Sequence, residues 1–70
     1  MERKQVSSSD ICSIGYDCQS SILEVEFVSG DVYQYFSVPE HLYNVLMVSD
    51  SKGQFLNDNI RFGYRYQKIS

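Results

Sequence analysis

The residues best suited to contact a nucleic acid lie near the end of the chain, where basic and aromatic side chains alternate. Residues 61–68, RFGYRYQK, place three cations among three aromatic rings. Arginine can pair with a phosphate through two N–H groups, and aromatic rings can stack on bases. The alternative is an edge strand with inward tyrosines and solvated basic residues. The candidate RNA contacts in this segment are Arg61, Phe62, Tyr64, Arg65 and Lys68.

A second candidate contact is Ser51-Lys52-Gly53, which precedes an apolar helical pattern. The free N–H groups and the dipole of a helix N-terminus, together with Lys52, could hold a phosphate. Gly53 would let the phosphate approach the backbone. The alternative is an ordinary capping box, with Ser51 first and Gln54 three residues later.

The third candidate is Tyr33-Gln34-Tyr35 in the middle of the chain. Two tyrosines on one sheet face could stack bases, as the aromatic residues of RNA-recognition modules do. The alternative is that both rings pack under helices with hydrogen-bonded hydroxyls.

Catalytic and metal-binding groups are scarce. The chain has one histidine, His41, and two cysteines, Cys12 and Cys18, without the spacing of zinc-ligand pairs. The sequence identifies neither a nucleophile nor an orienting partner for His41. We expect no enzyme activity, no metal and no cofactor. We expect free thiols, because a strand-and-turn placement separates the two Cα atoms by roughly 15 Å and a disulfide needs less than about 7 Å.

Charge and hydropathy limit which classes of binding partner are possible. The net charge is −3 with an isoelectric point near 4.8, but residues 51–70 carry four basic residues and one acid. This asymmetry permits a local basic patch and argues against strong nonspecific duplex binding. The longest apolar run, residues 45–48, is far too short to cross a membrane. The expected location is the cytoplasm, with no membrane partner.

The hydropathy pattern predicts one α+β domain over residues 11–70, after a polar, mobile lead-in at 1–10. Alternation predicts strands at 11–16, 23–27 and 32–38. In the first of these, Cys12 and Ile14 would share the core face; in the second, Glu24 and Glu26 would face water. The predicted architecture is a three-stranded antiparallel meander, two short helices and a closing extended segment near 64–68.

The turn between the second and third predicted strands decides which way the tyrosines face. A two-residue loop at Ser29-Gly30 would turn Tyr33 and Tyr35 away from the core. A three-residue loop that includes Val28, with Gly30 left-handed as in a G1 bulge, would turn them inward. A shift of one residue reverses every side chain, and the pattern alone leaves both alternatives open.

The helices follow Pro39, which suits the first turn of a helix. Leu42, Val45 and Leu46 fall at helical spacing, and a second helix would bury Phe55, Leu56 and Ile60. These apolar residues are expected to pack on the sheet face that carries four strand residues: Ile14, Leu23, Val25 and Phe27.

The ordered set of these signals resembles the KTSC domain in its free-standing, single-domain form. It comprises residues 23–27, Ser29-Gly30, residues 33–35, Val38-Pro39, residues 51–55, Asn57 and Ile60-Arg61. The likeness covers about residues 6–66 and implies that Tyr33 and Tyr35 face the core. The family takes its name from its occurrence at the C-terminus of some lysyl-tRNA synthetases. That context implies weak RNA binding through the basic C-terminal segment; the alternative is a protein–protein interaction module without a nucleic-acid ligand.

Overall fold

One antiparallel sheet and two helices make up the fold. A computed structural model describes all residues 1–70. The helices are α1 (Glu40–Val48) and α2 (Lys52–Asn59), and the strands follow the order β1-β2-β3-β4-β5 across the sheet. The strands are β1 (Arg3–Gln5), β2 (Ile11–Asp17), β3 (Ile22–Phe27), β4 (Val32–Tyr35) and β5 (Tyr66–Lys68).

The α+β class is confirmed, but the prediction of a three-stranded sheet is wrong, because two further strands form its edges. β1 lies within the expected lead-in and pairs with β2. The closing segment pairs with β4 as β5. Each edge strand is only three residues long and polar, and β5 is exposed throughout. β5 lies within the extended segment predicted near 64–68, but its place in the sheet was not predicted; β1 lacks the alternating apolar pattern that identifies strands in a sequence.

The β3–β4 hairpin adopts the three-residue loop. Gly30 has φ of +98°, and its N–H donates to the carbonyl of Phe27 at 2.9 Å. In this register Tyr33 lies opposite Val25, and Tyr35 lies opposite Leu23. Both tyrosines therefore lie on the sheet face that the helices cover.

A β-bulge in β2 changes which of its residues enter the core. The pairing with β3 shifts between Ile11 and Ser13. Ile11 is buried, and Cys12 is exposed, contrary to the alternation that we expected. The extra residue in the bulged strand interrupts the alternation at Cys12, so a strict period-2 reading places this residue on the wrong face.

The core lies between the sheet and the helices. On α1, Leu46 is fully buried with Leu42, Tyr43 and Met47 packed around it, whereas Val45 is exposed. Leu56 of α2 and Ile60 close the other side. The ring of Tyr43 stacks on that of Tyr16 in β2 at 5.0 Å, which ties α1 to the sheet. The buried core cluster comprises Ile11, Ile14, Leu23, Val25, Tyr35, Val38, Leu46, Leu56 and Ile60.

The face of the sheet opposite the helices carries a polar network that includes the two glutamates of β3. We expected both to face water, but Glu24 is buried. Its carboxylate accepts hydrogen bonds from Arg3 Nη1 at 2.7 Å and from Gln34 Nε2 at 2.8 Å. Glu26 accepts a hydrogen bond from Ser13 Oγ at 2.8 Å. Arg3 thus links the edge strand β1, across β2, to β3.

The start of α2 differs from the capping box that we considered. Ser51 occupies the N-cap position but makes no side-chain capping hydrogen bond. Gln54 bonds instead to Asp58, one turn further along the helix. Both helices are short, and neither could cross a bilayer.

Candidate functional site

A cleft of about 730 Å³ opens between the helix-covered face of the sheet and α2. We call it the tyrosine cleft. Its volume falls within the range of roughly 300–1,000 Å³ that is usual for small-molecule sites. Its walls are formed by β3, β4, β5, α2 and three connecting segments, and the lining residues are Ser9, Asp10, Phe27, Val28, Ser29, Asp31, Tyr33, Tyr35, Gly53, Gln54, Leu56, Asn57, Arg61, Phe62 and Tyr66.

Four aromatic rings line the sheet side of the cleft, and each contacts at least one of the others. Tyr33 and Tyr35 alternate along β4, and Tyr66 lies opposite Tyr35 on β5. Tyr33 and Tyr35 stack at 6.4 Å, and each meets Tyr66 at about 6 Å. Phe27 meets Tyr33 edge-on at 5.7 Å. Such cross-strand aromatic pairs stabilise a sheet and here also make an aromatic wall for a ligand.

Tyr35 is the most deeply placed of these rings, with 2% of its surface exposed. Burial raises the pKa of its hydroxyl, and the nearby positive charge of Arg61 partly opposes that rise. The Tyr35 hydroxyl makes no hydrogen bond to the protein, and it is not fully buried, since no fully buried side-chain polar atom lacks a partner. Tyr35 lines the cleft, so we expect the small exposed area of this hydroxyl to be on the cleft side.

Arg61 and Phe62 form the rim opposite the tyrosines, just beyond the end of α2. The guanidinium carbon of Arg61 lies 5.4 Å from the centre of the Phe62 ring. Phe62 is 81% exposed and Tyr66 is 58% exposed, so both rings offer a free surface. Proteins that bind single-stranded nucleic acids combine exposed aromatic rings with cations in this way.

The structure brings only part of the predicted set together. Gly53, Arg61 and Phe62 line the cleft with Tyr33 and Tyr35, whereas Lys52, Tyr64, Arg65 and Lys68 do not. Lys52 Nζ donates to the carbonyl of Ser49 at 2.8 Å. Lys68 pairs with Asp31 at 3.3 Å.

Tyr64 and Arg65 lie outside the cleft in different surroundings. Tyr64 is partly buried against the core, so its ring is less free than those of Phe62 and Tyr66. Arg65 is exposed, and its backbone carbonyl accepts a hydrogen bond from Phe36 N. Arg65 remains available beside the strand that carries Tyr66.

Asp10 is a cleft residue that the sequence reasoning missed. A Cβ atom added to Gly53 would lie 2.8 Å from Asp10 Oδ2, so the carboxylate lies against the first turn of α2. This acid disfavours a phosphate at the helix N-terminus, where we had considered one. Asp10 is 43 residues away along the chain, and no local pattern could have connected the two.

A second, shallower hollow lies on the opposite face of the sheet. It is lined by Arg3, Ser13, Glu24 and Glu26 among others. These side chains already satisfy one another through the network around Glu24. The hollow is therefore explained as the attachment of β1.

His41 and the cysteines lie apart from the cleft. His41 is exposed on α1, and Cys12 and Cys18 are exposed free thiols. No three His, Cys, Asp or Glu side chains come together in a group that could hold a metal ion.

Comparisons with known proteins agree on one family. The KTSC domain model matches residues 7–66. An uncharacterized protein of Stutzerimonas stutzeri is 41% identical over 70 residues, which cover 99% of each chain. A lysine–tRNA ligase of Nostoc punctiforme is 36% identical over 60 residues, 86% of this chain but 11% of the ligase.

The same family appears among solved structures. The crystal structure of a KTSC domain protein from Yersinia pestis superimposes with a TM-score of 0.95 at 40% identity. The match covers 99% of this chain and 97% of that chain. The resemblance drawn from the sequence is thereby confirmed.

Proposed function

Because this chain belongs to the KTSC domain family, a domain also found in lysine–tRNA ligases, we propose that it is a non-catalytic module that binds a short segment of single-stranded RNA. The tyrosine cleft is the binding site. One or two nucleotides enter it, with a base on the aromatic wall and a phosphate at the rim.

The observation that carries this proposal is the pair of exposed rings beside a cation at the cleft. Phe62 and Tyr66 are largely free, and the Arg61 guanidinium lies over Phe62. Base–aromatic stacking contributes about 1–3 kcal/mol per base and tolerates any sequence. A site of this kind can therefore bind RNA without a large basic surface.

The charge distribution limits how many phosphates the site contacts. Lys68 is paired with Asp31, and Lys52 is bonded to a backbone carbonyl. Arg61 and Arg65 form no ion pair with the protein and are the cations best placed to meet phosphates. With one or two phosphates bound, the logarithm of affinity should fall against the logarithm of salt concentration with a slope of about −0.7 to −1.4.

The ligase relatives support the same proposal from another direction. A region similar to this chain forms about a tenth of a lysine–tRNA ligase. A module attached to an enzyme that handles tRNA meets RNA routinely. A weak contact would add to the affinity of the whole enzyme, because linking two binding sites raises the effective concentration of the second.

Binding of a labelled single-stranded RNA, followed by fluorescence anisotropy at low salt, tests the proposal. Phe62→Ala removes an exposed ring, so we expect the RNA affinity to fall at least about fivefold while the protein stays folded. Arg61→Gln should weaken binding. It should also make the slope of log affinity against log salt concentration less negative by about 0.7, the value for one phosphate contact. Lys4→Gln is the matched control, because Lys4 is an exposed cation that does not line the cleft. Equal binding by all four proteins would refute the proposed site.

A protein–protein interaction is the second candidate, favoured by a different surface. Val45 and Val48 lie three residues apart on α1, and both are exposed; Val48 is 80% exposed. Neighbouring apolar side chains on a helix face can dock a partner. Val48→Asp should abolish such an interaction and leave RNA binding through the cleft unchanged.

A further inference from the structure

Two polar groups of the tyrosine cleft have no partner within the protein. One is the hydroxyl of Tyr35, whose ring is almost entirely buried. The other is the carboxylate of Asp10, which forms no ion pair and accepts no hydrogen bond. A buried tyrosine normally finds a partner for its hydroxyl. Here the hydroxyl faces the space that a ligand would occupy.

The backbone of Asp10 is held in position by two hydrogen bonds. Its N–H donates to Ser8 Oγ at 3.2 Å, and its carbonyl accepts from Val28 N at 2.9 Å. Its side chain lies against Gly53, since a Cβ atom added there would come within 2.8 Å of Asp10 Oδ2. The backbone bonds therefore place the carboxylate beside the first turn of α2, where it stays exposed and free to accept hydrogen bonds.

This placement gives the cleft a polarity. The Asp10 end is acidic and repels phosphate, whereas Arg61 at the rim attracts it. A nucleotide would place its phosphate at Arg61 and its base toward Asp10. The carboxylate is acceptor-only, so it favours a base edge that offers N–H groups.

We infer that the tyrosine cleft prefers guanine, with Asp10 accepting N–H groups from the Watson–Crick edge of the base; this rests on the proposed RNA-binding function. Guanine presents an adjacent ring N–H and amino group on that edge, which match the two oxygens of one carboxylate. Adenine and cytosine offer a single amino group, and uracil a single ring N–H. The Tyr35 hydroxyl is free to donate to the guanine carbonyl oxygen.

The test uses RNA tetramers that differ at one position. UUGU, UUAU, UUCU and UUUU are compared with a tetramer carrying inosine, which lacks the amino group of guanine. We expect UUGU to bind about tenfold more tightly than UUAU, because a hydrogen bond to a charged acceptor contributes that much. Inosine should lose most of this advantage.

Asp10→Asn and Asp50→Asn form the matched pair of variants. Each removes one exposed acidic charge, but only Asp10 lines the cleft. Asp10→Asn should bring the ratio of the UUGU affinity to the UUAU affinity close to one. The affinity for UUUU should stay the same or increase. Asp50→Asn should keep the ratio. Thermal melting of both variants shows that each remains folded.

The outcomes separate the two proposals. Equal affinity for all tetramers overturns the guanine preference and leaves RNA binding in place. A guanine preference that persists in Asp10→Asn overturns the role of Asp10. Absence of binding by every tetramer to the folded protein overturns both the preference and the proposed function.

Discussion

Replacing Arg3 by methionine should destabilise the protein although Arg3 lies on a three-residue edge strand. Arg3 Nη1 contacts Glu24 Oε2 at 2.7 Å, and the Glu24 side chain is only 10% exposed. Methionine keeps an apolar stem and removes the charge. The substitution leaves a largely buried carboxylate without its cation, and burial of an unpaired charge is unfavourable.

The expected magnitude lies between two limits. Breaking a fully buried pair from one side costs about 3–5 kcal/mol, and an exposed pair contributes about 0–1 kcal/mol. The Arg3 side chain is 29% exposed, and Glu24 retains its hydrogen bond from Gln34. We therefore expect about 2 kcal/mol, which lowers the melting temperature of a domain of this size by roughly 8–16 °C.

Urea denaturation followed by circular dichroism measures this change. Lys4→Met is the matched control, because Lys4 is the neighbouring cation on β1 and is exposed. It should change the free energy of unfolding by less than about 0.5 kcal/mol. Adding Glu24→Gln to Arg3→Met should restore part of the loss, since no unpaired charge then remains. If Arg3→Met costs no more than Lys4→Met, the proposed role of the ion pair is wrong.

Three further predictions concern backbone spacing, the core and pH. A Cβ atom at Gly15 would lie 2.6 Å from a backbone carbonyl oxygen just before β1, whereas at Gly63 it would meet nothing nearer than 3.9 Å. Gly15→Ala should therefore lower the melting temperature well below that of Gly63→Ala. Leu46→Ala, at a fully buried position, should cost about 2–5 kcal/mol in denaturation; Val48→Ala should cost less than about 0.5 kcal/mol. The raised pKa of Tyr35 means that the unfolded chain loses this proton first. Stability should thus fall as pH rises above about 10, and Tyr35→Phe should reduce that fall.

The sequence predicted the centre of this fold well because its central strands and helices have one buried face. The alternation through Leu23, Val25 and Phe27 marks β3 directly, and Leu46 and Leu56 mark the helices. The ordered motifs also identified the family. Local patterns of this kind report burial, and the central elements are defined by burial.

The edges of the sheet could not be predicted in the same way. Neither β1 nor β5 has a buried apolar face. The alternation at residues 64–66 predicted an extended segment that includes β5, but not its pairing with β4, and β1 carried no periodic signal. Formation of these two strands depends on contacts with residues distant in the sequence. Examples are the ion pair of Arg3 with Glu24 and the pairing of Tyr66 with Tyr35. The bulge that exposes Cys12 also depends on the neighbouring strand.

The candidate site was only partly visible for a related reason. The sequence indicated Arg61 and Phe62 through the alternation of basic and aromatic residues, and Tyr33 and Tyr35 through their spacing. It also suggested Lys68, which forms an ion pair with Asp31 in the structure. Whether a charged side chain is free or paired depends on residues brought close by folding.

An NMR titration of the isotope-labelled protein with the UUGU tetramer, at low and high salt, tests the central proposal most directly. If RNA binds in the tyrosine cleft, amide shifts should be confined to residues around it, including Gly53, Phe62 and Tyr66, and should diminish at high salt. The exposed face of α1 at Val45 and Val48 should show no shifts. Shifts confined to α1, or none at high RNA concentration, would rule out RNA binding in the cleft and favour a protein partner.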